Sequence, residues 1–311
     1  MTIKFTIIIP HYNDVSGIKR LVGTLPQGDE FQFILIDDNS TCDVVELKSI
    51  CSKNNIKFLL NDSGNKGAGA CRNIGINHSL GEWLVFIDAD DYFIDDNFSK
   101  VNSIVDSNDS DIIYFDPTSI YLDTGNKSDR HILYSKLVHN SIDSNDETIR
   151  YKYFVPWSKI VKRKLVIENE IFFDEVIASN DIMFSVKIGF HAKVIKATKE
   201  QFYCVTRQKG TLTTQTNKKV RQARLNVIIR YNKYLHQIDE NDYQDSVFSI
   251  FKEYYKVIGK ESIRSLLDLY LYYGLPFFPK TYHKYLYNPK LLLNRLLNKN
   301  INSHKNKEYL D

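Results

Sequence analysis

The chain has 311 residues, and its 41 Lys and Arg against 38 Asp and Glu give a net charge of +3. This near balance gives no support for a general nucleic-acid-binding protein, because such proteins carry a clear positive excess. The length is enough to bury a full hydrophobic core, and it predicts about two domains or one domain with a large appendage.

The cysteines and the N-terminus predict the compartment. The four cysteines form neither a CxxC pair nor a disulfide-framework spacing, which is typical of a reducing environment; they are Cys42, Cys51, Cys71 and Cys204. The first apolar run ends at Pro10, too early for a signal peptide, and no stretch is long enough to cross a bilayer. We expect a cytoplasmic protein, with peripheral attachment to the inner face of the cell membrane as an open alternative.

Short apolar runs alternate with segments of helical period through the first third of the chain. Strands are predicted at residues 5–9, 31–36, 56–60, 83–87 and 112–115. Apolar positions at helical spacing predict helices between them, the first with Asp14 as its capping residue. Alternating strands and helices predict a mainly parallel sheet, in which ligands bind at the carboxyl ends of the strands.

An acidic cluster follows the fourth predicted strand. Five apolar residues, from Trp83 to Ile87, run directly into Asp88-Ala89-Asp90-Asp91. Three carboxylates this close repel one another unless a cation compensates their charge, and Mg²⁺ or Mn²⁺ is bound by one or two carboxylates together with substrate phosphates. The cluster therefore predicts a metal-assisted site for a phosphorylated ligand, with a solvated acidic turn as the alternative.

Polar residues near the ends of the other predicted strands belong to the same rim. Tyr12 offers an aromatic face to a planar base, and Asp38 offers a carboxylate to a base N–H or a ribose hydroxyl. Gly67 and Gly69 allow a ligand to approach a helix N-terminus, and Arg72 can reach a phosphate from the same segment. Taken singly, these residues are also consistent with turns, caps and a solvated helix.

Five short motifs, in this order, resemble those of the family 2 glycosyltransferases. They are Thr6-Ile7-Ile8-Ile9-Pro10-His11-Tyr12-Asn13, Ile36-Asp37-Asp38-Asn39-Ser40, Asn65-Lys66-Gly67, Ala70-Cys71-Arg72-Asn73-Ile74-Gly75 and Phe86-Ile87-Asp88-Ala89-Asp90-Asp91. The resemblance is close over roughly the first 120 residues and looser to about residue 210. It implies a GT-A fold, a nucleotide-sugar donor, a divalent metal and transfer with inversion at the anomeric carbon.

The resemblance also implies roles for individual residues. Asp38 would contact the base with Tyr12 against it, Arg72 and Asp88 would lie near the nucleotide or sugar, and Asp90 would hold the metal on the diphosphate. The predicted nucleotide-sugar-binding residues are Pro10, Tyr12, Asn13, Asp38, Gly67, Arg72, Asp88 and Ala89. The predicted metal ligand is Asp90, and the metal is Mn²⁺ or Mg²⁺.

The middle of the chain supplies the predicted catalytic base. Ser179-Asn180-Asp181 precedes an apolar helix and resembles the acidic pair of the family, whose second acid is usually the base; an amide replaces the first acid here. Direct displacement needs Asp181 within hydrogen-bonding reach of the acceptor hydroxyl, while a carboxylate favoured by the helix dipole is the alternative. Trp157, Lys159 and Arg207 are predicted on the acceptor or phosphate side.

The motifs together predict an inverting hexosyl- or N-acetylhexosaminyl-transferase. We expect a sugar, preferably linked to UDP, to be moved to a saccharide or lipid-linked saccharide in the assembly of a surface polysaccharide such as capsule, O-antigen or lipopolysaccharide. A phosphotransferase of the haloacid dehalogenase type also carries Asp-x-Asp after a strand, but it usually has Thr or Val where Tyr92 stands. A non-catalytic module that only binds nucleotide-sugar is the second alternative.

The chain is predicted to form a catalytic domain at 1–215 and a helical C-terminal extension at 216–311. The predicted fold class is α/β, a Rossmann-like GT-A fold, with the nucleotide-sugar half at 1–120 and the acceptor half at 121–215. Residues 122–145 are predicted to be a loop-rich insertion, because they are strongly polar. Helical spacing returns at 220–235, 247–258 and 262–273.

The C-terminal tail is basic and aromatic. From Tyr270 onward, six Lys and one Arg stand against one Glu and one Asp, which gives a net charge of +5. Tyrosines and leucines lie between these cations, a composition typical of a segment on an anionic membrane surface. Packing of the tail on the catalytic domain, or on a second subunit in a homodimer, is the equal alternative.

Overall fold

The computed structural model of the protein describes residues 2–94, 97–107, 109–207 and 217–279. The chain divides into two compact units, Met1–Gln208 and Lys209–Asp311. The domain boundary predicted at residue 215 falls outside the described residues.

The first unit contains strands and helices in alternation. The strands are β1 (Phe5–His11), β2 (Phe31–Asp37), β3 (Ile56–Leu60), β4 (Trp83–Phe86), β5 (Tyr92–Phe93), β6 (Ile112–Phe115), β7 (Thr118–Tyr121), β8 (Lys159–Lys162), β9 (Ile195–Thr198) and β10 (Tyr203–Arg207). The helices are α1 (Val15–Val22), α2 (Val44–Lys53), α3 (Ala68–Asn77), α4 (Asn97–Asp106), α5 (Ile132–Ser144), α6 (Thr148–Lys152), α7 (Arg163–Glu168) and α8 (Ile182–His191).

Seven strands form the central sheet in the order β3-β2-β1-β4-β8-β6-β9. All pairs are parallel except those of β8, which runs antiparallel to both β4 and β6. The mainly parallel α/β sheet expected from the sequence is therefore confirmed, with one reversed strand that was not predicted. Because β1 lies between β2 and β4, the carboxyl ends of these three strands form one continuous rim.

The apolar runs form central strands because both faces of the sheet are covered. Every residue of β1 and β4 is buried, so apolar residues fill most positions of these strands instead of alternating with polar ones. Asp14 caps α1 as predicted, since its carboxylate accepts from the Gly17 N–H at 2.9 Å. The cap turns the chain back onto the sheet directly after the end of β1.

A second sheet, in the order β5-β10-β7, stands beside the central one. β10 pairs antiparallel with β5 and parallel with β7. Since β5 begins directly after the Asp88–Asp91 cluster, this sheet brings the 203–207 segment against the acidic cluster.

The stretch at 122–145 is not loop-rich as expected, because α5 occupies residues 132–144. Only three of its side chains are buried, Tyr134, Leu137 and Val138, and their spacing of three and four residues marks one helix face. The rest of the helix is polar or exposed, which explains why composition alone predicted a loop.

The second unit is helical, as predicted. Its α-helices within residues 217–279 are α9 (Lys218–Gln237), α10 (Val247–Tyr254) and α11 (Lys260–Tyr272). Leu225 and Ile229 of α9 pack with Ile250, Leu266 and Leu269 in a small core of their own. In the part of the chain that is described, no helix is long and apolar enough to cross a membrane. The basic tail from residue 280 onward lies outside the described residues.

Candidate functional site

Asp38 ties three loops together at the carboxyl end of β2. Its side chain is 9% exposed, and it accepts one hydrogen bond from the Asn61 side-chain amide at 2.6 Å and another from the Gly67 N–H at 2.8 Å. Gly67 has a φ of +110°, a backbone conformation that favours glycine. The two predicted donor-site residues therefore form one hydrogen-bonded unit, in front of the N-terminus of α3.

The end of β1 presents Tyr12 to solvent, with 55% of its surface exposed. Asn13 follows in the left-handed region, and its side-chain oxygen accepts from the Thr41 N–H at 2.8 Å, joining this loop to the one after β2. Pro10, by contrast, is buried within β1 and pairs with Ile36, so its side chain is part of the sheet and not of the rim.

His11 and Asp37, at the ends of β1 and β2, form a buried pair that the sequence did not predict. His11 Nδ1 lies 2.8 Å from the Asp37 carboxylate, and the other ring nitrogen accepts from the Asp14 N–H at 3.1 Å. The imidazole therefore carries its proton on Nδ1 and is neutral. Asp37 also accepts from the Ser40 N–H at 2.9 Å, so the pair fixes both loops that frame Tyr12.

Arg72 joins the two halves of the first unit. One terminal nitrogen of its guanidinium donates to Asp88 at 2.6 Å, and the other donates to the Asn180 side-chain oxygen at 2.9 Å. The guanidinium lies over the ring of Phe173, 5.2 Å from its centroid, and the residue is 5% exposed. The fork thus connects the acidic cluster after β4 directly to the residue that precedes Asp181.

The same contact explains the amide that replaces the first acid of the expected pair. Asn180 supplies an uncharged oxygen to Arg72, so the guanidinium pairs with one carboxylate, Asp88, and not with two. The loop that carries Asn180 is held on α3, because the Asn73 side chain bonds both the N–H and the carbonyl of Phe173.

Asp181 stands immediately before α8, and its carboxylate makes no capping bond to the helix. Burial raises the pKa of Asp181 above its ordinary value, Asp88 raises it further, and the cations of Arg72 and Lys159 lower it. A carboxyl group with a raised pKa next to an arginine-bound loop suits a general base, because it holds a proton more strongly than an exposed carboxylate does.

Lys159 is buried, whereas the sequence predicted it on the acceptor or phosphate side. Its side chain is fully buried, and its ammonium donates to the Tyr153 carbonyl at 3.1 Å and to the Ser185 hydroxyl at 2.9 Å. The rings of Tyr114 and Tyr153 lie 5.8 and 5.3 Å from the nitrogen. Burial lowers the pKa of Lys159 to about 7, while Asp181 raises it. The ammonium thus lies inside the protein and not on an open acceptor surface.

The acidic cluster separates into residues with different environments. Asp91 is buried and accepts from the Tyr203 hydroxyl and the Thr206 N–H, both at 2.7 Å. The Tyr203 oxygen in turn accepts from the Asp88 N–H at 3.1 Å. Asp91 therefore anchors β10 to the cluster. No local sequence pattern predicts this structural role. Ala89 is buried between the acids.

Trp157 and Arg207 pack beside this anchor. Trp157 is 3% exposed and stacks on Tyr203, with the ring centroids 5.9 Å apart, so it supports the anchor and does not face an open acceptor surface. Arg207 forms an ion pair with Asp129 and lies over the ring of Tyr121.

Asp90 has the environment expected of a metal ligand. It is partly buried, and burial together with the neighbouring Asp88 raises the pKa of Asp90 to about 6. A divalent cation would relieve that cost of ionisation. Within the described ranges, no three His, Cys, Asp or Glu side chains form a metal cluster of their own. One carboxylate plus diphosphate oxygens is still a normal Mg²⁺ or Mn²⁺ environment, so the residues fit a metal that arrives with the donor.

Comparison with known proteins identifies the family of the chain. The sequence matches the family described as Glycosyl transferase family 2 over residues 6–169. It is 25% identical over 214 residues to the poly(ribitol-phosphate) beta-N-acetylglucosaminyltransferase TarS of Staphylococcus aureus, which covers 67% of this chain and 36% of TarS. It is 23% identical over 274 residues to the glycosyltransferase YibD of Escherichia coli K12, covering 85% of this chain and 78% of YibD. The chain thus spans about a third of the length of TarS.

Solved structures show the same fold. TarS residues 1–349 in complex with UDP-GlcNAc align with a TM-score of 0.63 and 18% identity, over 85% of this chain and 79% of that one. The Pyrobaculum calidifontis mannosyltransferase PcManGT, in complex with GDP-Man and Mn²⁺, aligns with a TM-score of 0.52 and 15% identity, over 88% and 71% of the two chains. The family match over residues 6–169 excludes the haloacid-dehalogenase alternative. The chain belongs to glycosyl transferase family 2 and has the GT-A fold.

Proposed function

We propose that this protein transfers a sugar from a nucleotide-diphosphate donor to an acceptor hydroxyl, with inversion at the anomeric carbon. The observation that carries the proposal is the Arg72 fork, which bonds Asp88 on the donor side and Asn180 next to Asp181. It draws a donor-binding cluster and a half-buried carboxylate that does not cap its helix into one site, and a module that only bound nucleotide would not need the second.

Asp181 acts as the general base in this proposal. Its carboxylate takes the proton of the acceptor hydroxyl while the acceptor oxygen bonds to the anomeric carbon. The bond from that carbon to the donor diphosphate breaks with its electron pair, and the nucleoside diphosphate leaves. Because attack and departure take place on opposite faces of the sugar, the configuration at the anomeric carbon inverts.

Arg72 and Asp88 position the donor for this displacement. The guanidinium is fixed at both terminal nitrogens and by the Phe173 ring, so it keeps one orientation without substrate. Asp90 is the residue that would hold a divalent ion, which neutralises charge on the departing diphosphate.

The rim residues and the relatives support the proposed donor and acceptor. Tyr12 and Asp38 suit a planar base and its N–H groups, and a UDP-sugar is the proposed donor because a TarS structure contains UDP-GlcNAc. The name of TarS supports a polymeric acceptor, and the proposed acceptor is a saccharide or lipid-linked saccharide of a surface polysaccharide. A cytoplasmic site of action is supported by the four cysteines, none of which is in a disulfide.

Substitution of the base tests the proposal. Asp181→Asn should abolish transfer, while UDP-GlcNAc binding, measured by calorimetry with Mn²⁺ present, should stay within about twofold because the amide keeps the shape of the carboxylate. Release of UDP in the presence of saccharide acceptors reports turnover, and a screen with UDP-glucose and GDP-mannose identifies the donor.

Asp106→Asn is the matched control, since Asp106 is an exposed acid paired with Lys4. It should leave both binding and transfer unchanged. If Asp181→Asn retained turnover, the base assignment would be wrong. If the unaltered protein bound the donor but transferred to no acceptor and released no UDP, the non-catalytic module would be the correct function.

A further inference from the structure

Helix α11 has two apolar faces, and only one of them is used in the core. Ser262, Leu266 and Leu269 are buried, and the two leucines belong to the core of the second unit. Ile263, Leu267, Tyr270 and Leu271 lie on another side, which we call the outer face of α11. Their spacing of three and four residues aligns them along the helix.

The outer face is open to solvent. Ile263 is 49% exposed, Leu267 54%, Tyr270 46% and Leu271 64%. Tyr270 also contacts the ring of Phe277, which is 50% exposed itself, so the apolar surface continues past the end of the helix. Single exposed apolar residues are common, but an aligned set of this size marks an interaction surface.

Charge on α11 is distributed unevenly around this face. Lys260 and Arg264 precede Ile263 and Leu267 by three residues, so both cations lie along the outer face and both are exposed. Glu261 and Asp268 are seven residues apart and form a separate stripe with Tyr272. The outer face is therefore apolar and aromatic with cations along it.

The whole C-terminal region, from residue 209 onward, carries a positive net charge. From residue 209 onward there are 18 Lys and Arg against 9 Asp and Glu, whereas residues 1–208 carry 23 against 29. Two copies of such a region would repel each other, and residues 280–311, with 7 cations against 2 acids, carry the same positive excess. Charge complementarity thus favours an anionic occupant over the C-terminal region of a second copy or the tail of the chain.

We propose that the outer face of α11 docks on an anionic lipid bilayer, with its leucines and aromatic rings at the acyl boundary and Lys260 and Arg264 at the headgroups. Such a helix lies in the plane of the interface, and its binding combines buried apolar area with attraction to anionic lipids. The docking would hold the chain at a surface where lipid-linked acceptors reside, and it does not rest on the transfer chemistry.

Co-sedimentation of the full chain with lipid vesicles tests the proposal. The protein should bind vesicles that contain phosphatidylglycerol and not vesicles of phosphatidylcholine alone. Leu267→Ser with Leu271→Ser should weaken binding at least about tenfold, because two apolar side chains no longer enter the interface. Lys260→Gln with Arg264→Gln should weaken it about fivefold per cation removed and reduce its salt dependence.

Ile132→Ser with Leu133→Ser is the matched control, because these residues of α5 are similarly exposed, at 56% and 60%. This control should bind as the unaltered protein does. Equal binding to neutral vesicles, or unchanged binding after the Leu267 and Leu271 substitutions, would overturn the proposal. So would a dimer in sedimentation velocity that these substitutions disperse. Transfer to a water-soluble acceptor without vesicles measures the proposed activity separately.

Discussion

The ammonium of Lys159 lies 2.9 Å from the hydroxyl of Ser185, one helical turn beyond Asp181. Ser185 donates its own hydrogen to the Phe154 carbonyl at 2.5 Å, so toward Lys159 it can only accept. The Ser185 N–H donates to the Asp181 carbonyl at 2.9 Å. A buried cation is thereby linked through one serine to the backbone of the proposed base, and this linkage gives the first prediction.

Transfer should depend on pH through Asp181. Because burial raises the pKa of Asp181 and the base works only when ionised, the rate should fall as the pH drops through a value above that of an ordinary aspartate, about 3.9. Lys159→Met removes a cation that lowers the pKa of Asp181, so the acid limb of the kcat profile should move to higher pH. The groups that face Asp181 are Arg72, Asp88, Lys159 and Tyr134.

Ser185→Ala, measured in the same pH profile, distinguishes the effect of the Lys159 charge from the effect of the packing around Lys159. It removes the hydroxyl that accepts from Lys159 and leaves the cation in place, so it should lower the rate at every pH without moving the acid limb. Equal displacement of the limb in both variants would mean that the position of α8, and not the charge of Lys159, controls the base.

Arg72→Lys should lower kcat/KM by about 10- to 100-fold. A lysine keeps the charge but cannot bond Asp88 and Asn180 at once, so at least one charge-assisted hydrogen bond is lost. Steady-state kinetics with the preferred donor measures the change. Arg163→Lys is the control, since Arg163 bonds the Gly81 carbonyl away from the site. Equal rates for Arg72→Lys and the unaltered enzyme would refute the positioning role of the fork.

Asp91→Ala should destabilise the fold by about 2–4 kcal/mol. It leaves the Tyr203 hydroxyl and the Thr206 N–H buried without their acceptor. Asp91→Asn should cost less, because the amide oxygen still accepts a hydrogen bond. Urea unfolding gives the free energies, and Asp109→Ala, at a fully exposed acid paired with Lys162, should leave the unfolding free energy unchanged. If the Asp91→Ala variant had the same unfolding free energy as the Asp109→Ala variant, Asp91 would not anchor β10.

Gly69→Ala should disturb the site without removing any polar side chain. A Cβ atom there would overlap the Asp174 carbonyl oxygen and lie 3.1 Å from the Asn180 side chain. Moving that loop away from α3 should cost about 1–3 kcal/mol and reduce transfer, since the loop carries Asn180. Gly259→Ala, which meets no atom within 4 Å, is the control. Full activity of Gly69→Ala would show that the loop tolerates displacement.

The parts of the fold that depend on local patterns could be predicted. The buried strands β1 and β4 are rich in consecutive apolar residues, and the Asp14 cap stands three residues before its partner Gly17. The strand β8 was missed because it is short and has a lysine at each end. Nothing near Lys159 in the sequence indicates that its ammonium finds an acceptor 26 residues away, at Ser185.

The same distinction holds within the candidate site. Asp38, Arg72 and Asp88 stand in recognisable motifs. In the described structure, Asp38 and Asp88 follow strands at one rim of the sheet, and the guanidinium of Arg72 donates to Asp88. The anchoring of Asp91 by Tyr203 and Thr206 spans more than 100 residues, and so does the contact of Arg72 with Asn180. These long-range contacts depend on tertiary packing, which no local spacing of residue types records.

The reversed strand β8 has a mechanical consequence. It is hydrogen-bonded to β4, whose end carries Asp88, and to β6 on its other side, and Lys159 beneath the base is its first residue. The strand that precedes Asp88 and the strand that carries Lys159 are thus direct neighbours in one sheet. Because neighbouring strands of a sheet are held in register by backbone hydrogen bonds, we expect Asp88 and Lys159 to keep their spacing when a donor binds.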